Sequence, residues 1–133
     1  MVITDSELFE KVKLALNEFA NSQMTSFDGS SSEYDLIALV PNERETKYTL
    51  LVSAYWLDDG YEEFDIIDAL LPFLHEQIPN KIYKINNIGI INSTEILVKA
   101  LIENYPNIDG KLELFDITIG SNHFDKILIL KTK

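Results

Sequence analysis

The chain has 133 residues, 46% hydrophobic and 25% charged; these proportions suit one folded domain and exclude a disordered acidic tail. Its 22 acids against 11 bases give a net charge of −11. That balance opposes any general grip on nucleic acid, which needs clustered Lys and Arg. The absence of cysteine excludes disulfides, thiolate-held zinc, iron–sulfur clusters and a thiol nucleophile.

The opening residues, MVITDSELFEKVK, lack a basic leader ahead of an apolar core, and no apolar run approaches the roughly 18 to 20 residues of a membrane span. A cytoplasmic protein without a membrane partner is the expectation. Residues 3 to 20 read as an amphipathic helix. Thr4 and Glu7 form a capping-box pair, and Ile3 and Leu8 are spaced as a hydrophobic staple. Leu8, Val12, Ala15 and Phe19 then recur on one helical face.

Residues 21–34 form a Ser-rich connector, flexible by composition, with Asp28-Gly29 as a turn signal. It lacks the lysine and the glycines of a phosphate-binding loop. Asp35 to Val40 is a short apolar strand that stops at Pro41, and PNERET turns the chain back. Lys47 to Leu57 (KYTLLVSAYWL) is the organising strand. Tyr48, Leu50, Val52, Ala54 and Trp56 share one wholly apolar face at period two, while the other face is about half apolar. Such a strand belongs inside a sheet, paired with its predecessor as a hairpin.

Asp58 or Asp59 can cap the next helix, which begins near Gly60 or Tyr61. Phe64, Ile67, Leu71, Leu74 and Ile78 make its apolar stripe, and Pro72 predicts a kink or a break. Lys81 to Ile91 reads as a third strand, with Gly89 marking a bulge or a close neighbouring backbone. Asn92 and Glu95 announce a helix over residues 93–104 that buries Ile96, Leu97, Ala100 and Leu101. Two strands follow, Leu112 to Ile119 and Phe124 to Lys131, joined by a loop at residues 120–123.

The resulting order is α-β-β-α-β-α-β-β, a single domain on the α/β to α+β border. It has a five-stranded mixed sheet and three helices packed on it. Two successive strand–helix–strand units favour parallel crossovers, so the three middle strands are expected to form a parallel trio with a hairpin strand at each end. The sequence leaves open whether helices cover one face or both; crossovers progressing in one direction would put both their helices on one face, and the N-terminal helix could cover the other.

The densest chemical feature is Asp58, Asp59, Glu62, Glu63, Asp65 and Asp68, with no Lys or Arg between Tyr48 and Asn80. Acids are favoured at a helix N-terminus by some tenths of a kcal/mol each, which accounts for part of the cluster. The remainder suits a negative surface for a protein partner, carried by Asp58, Asp59, Tyr61, Glu62, Glu63 and Asp65, with Tyr61 as an aromatic anchor. The functional expectation is a non-enzymatic acidic binding protein without a cofactor, an inhibitor or immunity-type partner of a basic protein.

The alternative is a small metal-dependent hydrolase or nuclease. Its ligands would be Asp58, Glu62 and Asp65, at helical spacings of four and three, or Asp35 and Glu45 with Lys47 to stabilise charge. His123 and Asp125 are close enough in sequence to act as a general-base pair. His75 lies near a helix C-terminus, and no pairing of the two histidines follows from their spacing.

Overall fold

The computed structural model describes residues 5–23, 34–44, 46–58 and 62–133. Helix α1 covers Asp5–Gln23, strand β1 Leu36–Pro41, strand β2 Tyr48–Ser53, and a short helix α2 Tyr55–Asp58. Helix α3 covers Glu63–Gln77 and a 3-10 turn Ile82–Lys84; then come β3 (Ile85–Ile90), α4 (Ile96–Asn104), β4 (Asp109–Ile119) and β5 (Asn122–Thr132). The element order matches the sequence reading, and the class is α+β, with one five-stranded mixed sheet. Among the described residues no helix is long and apolar enough to cross a membrane. The capping residues Ile3 and Thr4 lie outside the described residues, as does most of the Ser-rich connector; α1 itself runs on to Gln23.

The strands lie in the order β3-β2-β1-β5-β4. β2 pairs antiparallel with β1 and parallel with β3, so the organising strand is interior and its following helix makes a parallel crossover. The expected parallel trio stops there. β4 pairs antiparallel with β5, and β5 with β1, which carries β4 to the edge opposite β3.

Two physical causes act together. A two-residue turn at Gly120 and Ser121 lets the eleven-residue strands β4 and β5 zip locally, at far lower loop-closure cost than a β3–β4 crossover. Ile127, Leu128, Ile129 and Leu130 are also all buried, so β5 needs cover on both faces and is drawn to the centre.

Helices cover both faces, and the two crossover helices are on opposite ones. Leu8, Val12, Leu16 and Phe19 of α1 share a core with Ile66, Leu70 and Leu74 of α3 on one sheet face, over Ile37, Leu39, Leu50, Val52 and Leu128. Val98 and Leu101 of α4 cover the other face, over Leu36, Ala38, Ile127 and Ile129. Burial of side chains this size stabilises by roughly 1.5–3 kcal/mol each, several times the contribution of any cap or dipole in α1. Tyr34 closes this core: its hydroxyl donates to the carbonyl of Leu16 at 2.5 Å, and its ring lies 5.5 Å from that of Trp56. Burial pushes the Tyr34 phenol far above its ordinary range.

Several local expectations need correction. β2 ends at Ser53, and Tyr55, Trp56 and Leu57 form a helical turn; Trp56 is still buried. The buried stripe of α3 is Ile66, Leu70, Leu74 with Ile78 beyond it, while Phe64 is 80% exposed and Leu71 37%. Pro72 is exposed and α3 continues through it unbroken, since a solvent-facing ring leaves its lost hydrogen bond to water. The bulge in β3 falls beside Asn86, where the pairing with Tyr48 and Thr49 shifts. At Gly89 the close approach is by a side chain and not by backbone: Leu51 Cδ2 would lie 3.2 Å from an added Cβ. On α4, Ile96 is 71% exposed and Val98 is buried instead.

Candidate functional site

The acidic cluster forms where β2 gives way to α3. β2 ends at Ser53, α2 turns the chain, and Glu62 stands in extended backbone (φ −80°, ψ 141°) as the residue before the helix. Glu62, Glu63, Asp65 and Asp68 are all exposed. Among the described residues none of the four forms an ion pair with a lysine, arginine or histidine. Glu63 does reach the neighbouring edge strand, its Oε1 accepting the Ile90 N–H at 3.3 Å. The side chain of Asp58, and the whole of Asp59 and Tyr61, lie outside the described residues.

Phe64 is the residue that sequence reasoning misplaced. Spacings of three and four put it in a stripe with Ile67 and Leu71, but the competing set Ile66, Leu70 and Leu74 satisfies helical periodicity equally well and is the buried one. Acids on both flanks of Phe64, Glu63 and Asp65, were the available signal that this part of the helix faces water. The outcome is an exposed aromatic ring with Glu62, Glu63 and Asp65 next to it in sequence and Asp68 one turn along, and with half-buried Ile67 and exposed Leu71 following along the helix. Carboxylates around an apolar ring can attract a cation at a distance and give it a desolvated surface on contact.

The alternative nuclease-type set is dispersed. Asp35 lies at the foot of β1 and Lys47 just before β2, at opposite ends of the hairpin, which at the rise of a strand separates them by about 20 Å. Glu45 lies outside the described residues. Asp35 is buried, and its carboxylate meets Lys133 Nζ at 3.6 Å through Oδ1, while Oδ2 and the buried Ser53 hydroxyl have no hydrogen-bond partner among the described residues. Among the described residues no group of three or more His, Asp or Glu side chains is placed to hold a metal ion.

Around His123 the hairpin register assembles more than proximity in sequence suggested. Its Nε2 lies 3.3 Å from both Asp116 Oδ1 and Asp125 Oδ1, and its Nδ1 lies 2.7 Å from the Thr118 hydroxyl. Asp116 takes a left-handed backbone (φ 53°) to reach it. An open hollow of about 400 Å³ adjoins this group, lined by Pro41, Asn42, Phe115 and Lys126 among others. Hydroxyl, imidazole and carboxylate in sequence have the order of a nucleophile relay. However, the two carboxylates are 88% and 95% exposed, so water screens them and little activation of the hydroxyl results. His75 is exposed on α3 and stands apart from this group.

Comparison of the chain with protein-family models, curated proteins and solved structures finds no match in any of the three.

Proposed function

We propose that this protein acts by binding another protein that is basic, through the start of α3. The observation that supports the reading is Phe64, 80% exposed and bracketed by Glu62, Glu63, Asp65 and Asp68, none of them ion-paired among the described residues. An unburied Phe costs the free protein about 2 kcal/mol of forgone burial, and a partner that covers it recovers that term. The acids steer a positively charged partner from a distance and turn away nucleic acid and acidic proteins. Inhibition of a basic enzyme or toxin is the role such a surface serves without chemistry of its own.

The test is a pair of variants applied to proteins retained from the native host's lysate and eluted by salt. Glu62→Lys with Asp65→Lys should slow association of the retained basic protein at least tenfold, with a rate that falls as salt rises in the parent and no longer does so in the variant. Phe64→Ser should raise its dissociation rate while leaving thermal stability within about 0.5 kcal/mol, as an exposed side chain allows. Retention of the same proteins, at the same rates, by all three chains would refute the reading.

A further inference from the structure

The strand β3 ends the sheet in a way that exposed strands seldom do. Its six residues, INNIGI, carry no charge and no proline, two of the usual guards of an edge, and its pairing shifts only beside Asn86. On its inner side β2 takes the ladder, and the Ile91 N–H continues it by donating to the Val52 carbonyl at 2.9 Å. Successive residues of a strand turn their backbone groups to opposite sides, so Ile90 and Ile88 present theirs outward. The Ile90 N–H finds there the Glu63 carboxylate at a long 3.3 Å. Among the described residues no further strand lies beyond β3.

We propose that the occupant of this edge is a second copy of the chain, its β3 laid antiparallel against the first about a two-fold axis to give one ten-stranded sheet. The distribution of charge along the edge selects that partner. Lys81 and Lys84 stand before the strand, and neither is ion-paired among the described residues. At its far end Glu63, with Glu62 beside it, reaches the last residue. An antiparallel two-fold makes the two ends of this pattern meet. With Ile88 opposite its own counterpart, Ile90 faces Asn86 of the other copy, and each Glu63 comes within side-chain reach of the other copy's Lys84. A two-fold interface repeats every contact, so the exchange occurs twice.

The backbone gains as well. Each Ile90 N–H trades a long contact with a carboxylate for a ladder bond, and the carboxylate released is the one that meets Lys84. Ile88 and Ile90 point to the sheet face that α1 and α3 cover, so the joined strands extend an apolar surface already present. The net charge of −11 on each copy opposes association, but beyond about 8 Å that repulsion is screened at physiological ionic strength, whereas the Glu63–Lys84 pairs act at contact.

The experiment is the mass of the intact protein by sedimentation and light scattering across the micromolar range at physiological ionic strength. The expected result is a concentration-dependent shift from the mass of one chain to that of two. Lys84→Glu should weaken the dimer about tenfold or more, because it sets like charges together twice, with circular dichroism unchanged. Lys84→Glu combined with Glu63→Lys should restore it, the pair being exchanged across the axis. A single-chain mass throughout that range overturns the proposal, and so does a dimer indifferent to Lys84→Glu or a double variant that stays monomeric.

Discussion

The two edges of this sheet were built under opposite rules. β4 carries Asp109, Lys111, Glu113 and Asp116 along its length, all exposed, interrupts its pairing between Asp109 and Leu112, and turns left-handed at Asp116. Each of these devices discourages another strand from adding. β3 has neither the charges nor the left-handed turn; its pairing shifts once, beside Asn86, and a single carboxylate from a neighbouring helix touches its backbone. The difference does not follow from length or exposure alone, because β4 is the longer strand and offers more backbone. Protection has been spent where a long flat ladder would otherwise be open, and withheld where the strand is short and its surroundings carry both signs of charge.

The comparison is sharpened first by truncation beside each edge. Ile129→Ala, in the strand that holds β4, should cost about 2–5 kcal/mol, since Ile129 is wholly buried and leaves a cavity. Ile88→Ala in half-buried β3 should cost about 1 kcal/mol. Urea unfolding midpoints at constant slope measure both, and equal losses would mean that the edges are anchored alike. Next, Asp116→Val should lower stability by about 1–2 kcal/mol, because a β-branched residue fits poorly at φ 53°. Strand propensity alone predicts the reverse, so a raised melting temperature would show that the left-handed turn places no constraint on β4.

A third test concerns the interior between the edges. Tyr34→Phe should cost about 1 kcal/mol at neutral pH by removing the bond to Leu16. Burial raises the Tyr34 pKa in the folded state, so the folded protein holds that proton more tightly than the unfolded chain. Its contribution is therefore whole below the unfolded value of about 10 and declines as pH climbs above it. The variant should show a shallower loss of stability at alkaline pH, read from melting curves on both sides of that value.

The smallest effect belongs to Lys13, which bridges α1 to the start of β4 through Asp109 at 2.8 Å. The hydrogen bond and charge of Lys13 hold the Asp109 carboxyl below its ordinary range. The stabilisation is present above the unfolded carboxylate value and is lost as pH falls through the folded one. Asp109 is 76% exposed, so Lys13→Ala should cost no more than about 0.5 kcal/mol at neutral pH and nothing in acid.

Much of this fold was legible in the residues, and the exceptions have physical causes. The alternation of Tyr48, Leu50 and Val52 against half-polar neighbours placed β2 inside the sheet, and both hairpins followed from strands and turns close in sequence. The position of β4 does not follow from the crossover preference of strand–helix–strand units, because the unbroken apolar run Ile127 to Leu130 outweighs it. That run, like Leu36 to Leu39 in β1, marks a strand covered on both faces and so a central one. The polar interruptions of INNIGI and LELFDI mark the edges. On α3 two periodic sets share Leu74 and Ile78, and only packing against α1 decides that Ile66, and not Phe64, turns inward. The acids at the head of α3 were plain from composition, whereas the grouping of Asp116 and Thr118 around His123 depended on hairpin register, which no spacing within one strand reveals.

The pairing of β1 with β5 joins the first strand to the last across nearly the whole length between them. During synthesis, α1, the β1–β2 hairpin and the crossover to β3 can assemble early, yet β1 then presents an open flank of apolar residues until β5 has been made. Contacts so distant in sequence are slow to form, and such a half-built sheet invites neighbours on the same message to fill the gap. Growing chains of this protein should therefore depend on chaperones up to the moment when β5 clears the ribosome and closes the centre.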